Sequence, residues 1–106
     1  MKQFFLSLEG FEWDLGNIDH IKKHLVLPKE CEEVFANKPI IVSNDKLHSK
    51  TEKRFYVLGK TILGRKLVVV FTKRRKQIRI VSARDQNKKE RLKYEKQEVK
   101  YAKEKI

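Results

Sequence analysis

Leu67-Val-Val-Val-Phe71 is an unbroken apolar run, and alternate members of any strand it forms point to opposite sides. A strand that is apolar on both sides needs cover on both. The run therefore predicts the central strand of a sheet held between two layers. Phe55–Leu58 before it and Gln77–Val81 after it are rich in β-branched and aromatic residues, as strands are. Gly59 and Gly64 bracket the first connection. Lys73–Lys76, all basic, form the second, which reads as a tight hairpin loop. An antiparallel meander of three strands is expected over residues 53–82. In its last strand Ile78 and Ile80 share one face, and Gln77, Arg79 and Val81 share the other.

The flanking segments supply the cover. Phe4–Leu8 alternates as a short strand would and is broken by Gly10. Asp14 is placed to cap a helix over about 15–24, with Ile18, Ile21 and Leu25 on its apolar side. Pro28 suits the first turn of a shorter helix in which Cys31, Val34 and Phe35 face inward, and Pro39 ends it before a strand at Ile40–Val42. From about Ala83 the apolar period becomes helical. Leu92, Val99, Ala102 and Ile106 form a stripe, so a long C-terminal helix is expected to pack through Leu92 and Val99, with Ser82 as its cap. The fold class is α+β: a small antiparallel sheet, N-terminal helices and a long C-terminal helix. The 106 residues suit one domain. The single cysteine, Cys31, cannot close an intrachain disulfide and reads as a small buried hydrophobe. No apolar stretch approaches the length of a membrane span, and a cytoplasmic protein is expected.

Charge is distributed unevenly. Residues 54–106 hold 18 of the 26 Lys and Arg against five acids, whereas residues 1–53 hold eight basic and nine acidic side chains. A field of one sign over half a small chain favours a polyanionic partner. The many arginines favour phosphate, because a guanidinium fork can hold two phosphate oxygens. Nucleic acid is the leading ligand class, set against a basic surface that is merely well solvated.

Few residues can carry chemistry. His20 and His24 have the spacing of two metal ligands on one helix face, but Ile21 stands where a zincin would place its Glu, and Cys31 and His48 make no completing pair. Neither a metal nor a cofactor is expected, since Walker, dinucleotide and nucleophile-elbow sequences are all missing. His24, beside Lys22 and Lys23, has two readings: a proton carrier, since imidazole changes charge near physiological pH, or a helix-end residue that packs beside Leu25. Glu52 and Arg54 should share a strand face, as a surface ion pair or as an arginine steadied beside phosphate. Arg79 lies between Ile78 and Ile80, where a charge needs a partner or a solvated cleft. Arg84, Lys88 and Arg91, read as successive helical turns, make a phosphate track. Such residues suit cleavage of RNA, whose 2′-hydroxyl supplies the nucleophile. The protein then has only to orient the phosphate, neutralise its charge and move protons.

Several blocks in order resemble the BrnT-like toxins of bacterial type II toxin–antitoxin pairs. They are Phe11-Glu-Trp-Asp14, Lys23-His24, Val34-Phe35 with Pro39, Glu52-Lys-Arg54, Gly59, Gly64-Arg65 and Leu67–Thr72, then Ile78-Arg-Ile-Val-Ser-Ala-Arg84, Glu90-Arg91 and Tyr94. The resemblance covers roughly residues 11–94. It implies a RelE-like ribonuclease fold, cleavage of cellular RNA that arrests growth, and neutralisation by a BrnA-like ribbon-helix-helix antitoxin; with the 2′-hydroxyl as nucleophile, the expected enzyme is a metal-independent endoribonuclease. Operator DNA would be met only through the antitoxin complex, and no membrane is involved. Carried onto this chain, it implies a polar set of His24, Arg54, Arg65, Arg79, Arg84 and Arg91; taken with the helical track, His24, Arg54, Arg79 and Arg84 are expected to be catalytic, and Arg65, Lys88 and Arg91 to hold substrate. Residues 1–10 would extend a single toxin domain of residues 1–106. Where such proteins commonly have Gly after the histidine, this chain has Leu25, which removes an easy left-handed helix ending. The competing function class is a non-catalytic, basic nucleic-acid-binding or corepressor subunit, which would need only a broad basic face.

Overall fold

The computed structural model describes residues 10–48 and 52–105, so the strand expected at Phe4–Leu8 lies outside the described residues. Five strands form one sheet: β1 (Phe11–Glu12), β2 (Ile41–Asn44), β3 (Arg54–Lys60), β4 (Lys66–Arg74) and β5 (Gln77–Asp85). Their order across the sheet is β1-β5-β4-β3-β2. The three-strand meander is present, with Val57 opposite Val69 and Thr72 opposite Arg79. The sheet as a whole is mixed rather than antiparallel, because β1 runs parallel to β5, Phe11 opposite Ile78 and Glu12 opposite Arg79. A parallel neighbour needs a long crossover. Here the described residues between β1 and β5 include two α-helices and three strands.

The central strand is as the apolar run requires: Leu67, Val68, Val69 and Phe71 are all buried. One face of the sheet is covered by helices α1 (Leu15–Lys22) and α2 (Pro28–Ala36), and Ile21, Val26, Cys31 and Val34 pack there with Val57, Val69, Phe71 and Ile80. Phe35 meets Phe11 and Phe71 edge-on at 5.5 and 5.0 Å, the geometry that ring quadrupoles favour. Gly59 is the close-approach point of this layer, since a Cβ there would lie 2.7 Å from Val34 Cγ1. Burial, with Glu30 and Glu32 adding to it, pushes the Cys31 thiol up to about 12, so Cys31 sits in the core as a hydrophobe and not as a nucleophile.

Asp14 caps α1 as expected, in a capping box with Asn17. Asn17 is itself buried and its amide donates to Glu12 O and Ile80 O, both at 3.0 Å, clamping the helix start to β1 and β5. The helix ends earlier than its apolar pattern suggests. Val26 N–H bonds Ile21 O and Leu25 N–H bonds Lys22 O, the paired bonds of a Schellman ending. Leu25 takes the left-handed position at φ 57° and is 82% exposed, so Val26 rather than Leu25 enters the core. The left-handed ending therefore survives without glycine.

Two expectations about the C-terminal part are overturned. β5 continues through Ser82 and Arg84 to Asp85, because β4 is long enough to pair it up to Leu67 opposite Asp85. The last helix, α3, spans Lys88–Glu104, and its cap is Asn87, in a capping box with Glu90. Neither Ser82 nor Arg84 is at a helix start. Nor does α3 pack through its apolar stripe: Leu92 and Val99 are 53% and 55% exposed, whereas Tyr94 is fully buried against Leu58 and Val68. The opposite side of α3 wins because it offers an aromatic anchor and a charge clamp. Tyr94 Oη donates to Pro39 O at 2.6 Å, and Glu98 meets Lys60 at 2.7 Å and Lys66 at 3.5 Å.

Replacing Tyr94 with Phe should remove about 1–2 kcal/mol, since it leaves a buried carbonyl without its donor. Val99→Asp should stay within about 0.5 kcal/mol of the parent, as surface changes do. Urea midpoints of the two variants check this, and the reverse order would return the packing face to Val99. Leu25→Gly should add about 0.5–1 kcal/mol, because relief of the left-handed strain exceeds the extra chain entropy of glycine. An unchanged or lower urea midpoint would show that Leu25 bears no such strain.

Candidate active site

The second face of the sheet is only partly covered by α3. Along β3 it carries Arg54, Tyr56 and Leu58, and along β4 Val68, Val70 and Thr72, paired across the ladder. In β5 the alternation is interrupted. Val70 faces Ser82 but the next residue, Phe71, faces Ile80, so Val81 is an extra residue in the ladder. This bulge reverses the phase. Arg79, Ser82 and Arg84 stand opposite Thr72, Val70 and Val68 on the α3 face, while Ala83 turns into the core. A regular strand would have sent Arg79 and Arg84 to opposite faces.

Two cavities are lined in part by this face. The larger, of about 780 Å³, has a floor of Tyr56, Leu58, Val68 and Val70, with Arg54, Arg84, Lys89, Glu90 and Lys93 around it. The smaller, of about 240 Å³, is lined by Asn17, His20, Glu52, Arg54, Thr72, Arg74 and Arg79. Arg54 belongs to both.

The arginines are held by carboxylates. Arg79, 17% exposed at its side chain, has Nη1 at 2.8 Å from Asp14 Oδ2 and 3.1 Å from Glu12 Oε1, which ties β5 to β1 and to the cap of α1. Glu52 pairs with Arg74 at 3.1 Å, across the hairpin from Arg54. Arg84 is bidentate on Glu90, Nη1–Oε1 2.8 Å and Nη2–Oε2 3.0 Å, while Glu90 also accepts from Asn87 N–H. Arg84 is thus fixed at the mouth of the larger cavity by a carboxylate that the helix cap already orients.

His24 and Arg65 lie elsewhere. Arg65 donates to the carbonyls of Leu25 and His24, to Glu30 and to Asp85, joining the end of α1, α2 and β5 on the helical side of the sheet. His24 is exposed beside this cluster. Ten residues separate it from Asp14, the partner of Arg79, or roughly 15 Å at helical rise. The structure therefore brings Arg54, Arg79 and Arg84 onto one face and places His24 with Arg65 at another site. His20, one turn earlier, is the imidazole that lines a cavity with Arg54 and Arg79. Lys88 and Arg91 are exposed, and Arg91 donates to Gln86 O at 2.8 Å, while Lys89 and Lys93 line the larger cavity instead. Once Arg84 proves to be a strand residue, the helical spacing that joined it to Lys88 and Arg91 no longer applies. No group of three or more His, Cys, Asp and Glu among the described residues could hold a metal ion.

A model of the family described as "Ribonuclease toxin, BrnT, of type II toxin-antitoxin system" matches residues 13–90. The chain belongs to the BrnT family of ribonuclease toxins. The matched span runs from Trp13, beside the cap of α1, to Glu90, the partner of Arg84, and takes in both cavities' arginines. No curated protein matches the chain. No helix among the described residues is long and apolar enough to cross a membrane.

These ion pairs set the response to acid. Asp14 is held below its ordinary 3.8 chiefly by its hydrogen bond to Arg79, and Asp85 by its bond to Arg65 with a smaller contribution from His24. Glu52 and Glu90 are held below 4.5 by Arg74 and Arg84. In Glu98 burial pushes upward, but Lys60 and Lys66 outweigh it. All five pKa values are lowered on folding, so their stabilisation is complete above the unfolded values and drains as pH falls through the folded ones. The thermal midpoint should be level from pH 7 to about 5 and fall steeply below about 4, as protonation also unmasks the positive self-repulsion. A midpoint unchanged at pH 3 would contradict the pairing.

Proposed function

We propose that this BrnT-family chain is a metal-independent endoribonuclease that cleaves RNA through its own 2′-hydroxyl on the open sheet face. The observation that carries the reading is the gathering of Arg54, Arg79 and Arg84 on that face in a ribonuclease toxin family. A scissile phosphate over Arg54 is neutralised as charge develops on its oxygens, with Arg84 as the second donor. Arg79 keeps Asp14 and Glu12 in place and supports the face from below. Proton transfer falls to His20, which shares the smaller cavity with Arg54. His24, with Arg65 and Asp85, belongs to the second cluster, and Lys88 and Arg91 contribute to the outer field that attracts RNA.

The whole chain acts as one cytoplasmic toxin unit of RelE-like architecture, with residues 1–10 as an extension. Its partner is a BrnA-like ribbon-helix-helix antitoxin, which blocks cleavage, relieves growth arrest and carries the complex to operator DNA. A chain of net charge +12 suits a partner of opposite charge, which would both occlude the face and speed association.

The test is cleavage of RNA by purified chain, alone and after co-expression with the product of the adjacent gene, in chelator throughout. Arg54→Ala and Arg84→Ala should each lower the cleavage rate by roughly 10²–10³, as loss of a transition-state donor does. Lys at position 84 should restore only part, since it cannot reproduce the fork. His20→Ala should lower the rate by roughly 10²–10⁴, with His24→Ala close to the parent. The reverse result for the two histidines would move the chemistry to the His24–Arg65–Asp85 cluster. A parent protein that binds RNA without cutting it or slowing growth would leave the binding-subunit reading in its place.

A further inference from the structure

The larger cavity has a composition that phosphate neutralisation does not explain. Its floor is apolar and aromatic, built of Tyr56, Leu58, Val68 and Val70 in paired positions of β3 and β4, and its rim carries Arg54 and Arg84. A site for phosphate alone has no use for an aromatic floor. A nucleotide needs both, because its base offers a flat apolar face and its backbone offers charge. The volume of about 780 Å³ lies in the range of sites for small organic groups. Tyr56 is well placed for stacking. It stands between Ser43 and Val70 in the ladder, two residues from Arg54 on the same strand face, and it is only half-buried, whereas Leu58 beyond it is sealed under Tyr94.

We propose that this groove is a nucleobase subsite, in which one base of single-stranded RNA lies against the Tyr56 ring while its flanking phosphates rest on Arg54 and Arg84. The inference rests on the RNA-binding part of the ribonuclease reading and names the substrate element that the same face would grip. The occupant is a base within an unpaired strand, because a base stacked inside a duplex cannot offer its face to a side chain. Glu90 then acts as a placeholder: it fixes Arg84 at the rim until a phosphate oxygen takes its position.

The experiment uses fluorescein-labelled 2′-deoxy-2′-fluoro oligonucleotides, which lack the nucleophilic hydroxyl, so binding is read apart from cleavage. A six-nucleotide chain with bases is compared with the same sugar–phosphate chain lacking them. Tyr56→Leu, which keeps an apolar floor without a ring, should weaken binding of the base-bearing chain by roughly 5- to 150-fold. Tyr56→Phe should bind within about twofold of the parent, since the ring is retained. On the abasic chain parent and Tyr56→Leu should bind alike. Equal affinities on the base-bearing chain, or an equal loss on both chains, would overturn the proposal. A second measurement does not depend on the variant folding. Irradiation of the parent with a version carrying 2′-deoxy-2′-fluoro-4-thiouridine should crosslink to the tryptic peptide Phe55–Lys60, and crosslinks confined to the lysines of α3 would also overturn it. Failure of the parent to cleave ordinary RNA, with the Tyr56 pattern intact, would end the ribonuclease reading and leave the base subsite standing.

Discussion

The extra residue that β5 carries opposite the Val70–Phe71 step decides which side chains share a face. Before it, Ile78 and Ile80 point to the core and Arg79 to the open face; after it, Ala83 points to the core and Arg84 joins Arg79. A bulge gives up one ladder position and increases local twist. In exchange, a charged residue at each end of the same strand is kept out of the apolar layer, where an unpaired guanidinium would be strongly destabilising. The core remains continuous on one side, and the arginines gather on the other.

The second organising element is the way acids, most of them from the first half, hold arginines of the second. Glu12 and Asp14 take Arg79, Glu52 takes Arg74, and Glu30 with Asp85 takes Arg65. Each pair joins segments distant in sequence, so the ion pairs position elements as well as neutralise charge. Arg79 is the clearest case, linking a two-residue edge strand and a helix cap to β5, an interior strand. Pairs as exposed as Arg74–Glu52 contribute little to stability singly, but they define where each guanidinium stands before a ligand arrives. Arg84 is oriented in the same way, its fork held by both oxygens of Glu90.

How much of this was legible in the sequence depends on the range of the interaction. The five-residue apolar run specified a central strand because alternation is a local property and burial on both faces leaves no other choice. Capping at Asp14, the Pro28 helix start and the buried Cys31 are likewise short-range matters, and the structure shows them where the residues placed them. The skewed charge pointed to a polyanion without reference to fold. In α3, by contrast, periodicity misled. Leu92 and Val99 form a true stripe, yet the helix turns Tyr94 and Glu98 inward because Pro39 O and the Lys60–Lys66 pair wait there, and nothing within the helix records those partners.

The site divides along the same line. That Arg54, Arg79 and Arg84 are candidates for a phosphate site was readable from residue type and from the blocks they sit in. Their common face was not, because it depends on a bulge that arises only when β5 is paired with β4, and on a strand that runs four residues beyond its β-rich segment because its neighbour is long enough to hold it. The separation of His20 from His24 was also tertiary: His20 lines a cavity with Arg54 and Arg79, whereas the carbonyl of His24 meets Arg65, a distinction that i,i+4 spacing cannot express. The sequence alone determined the three-strand meander, the charge and the family. Which side chains meet was decided by strand register and helix rotation, since both are set by contacts between segments far apart in the chain.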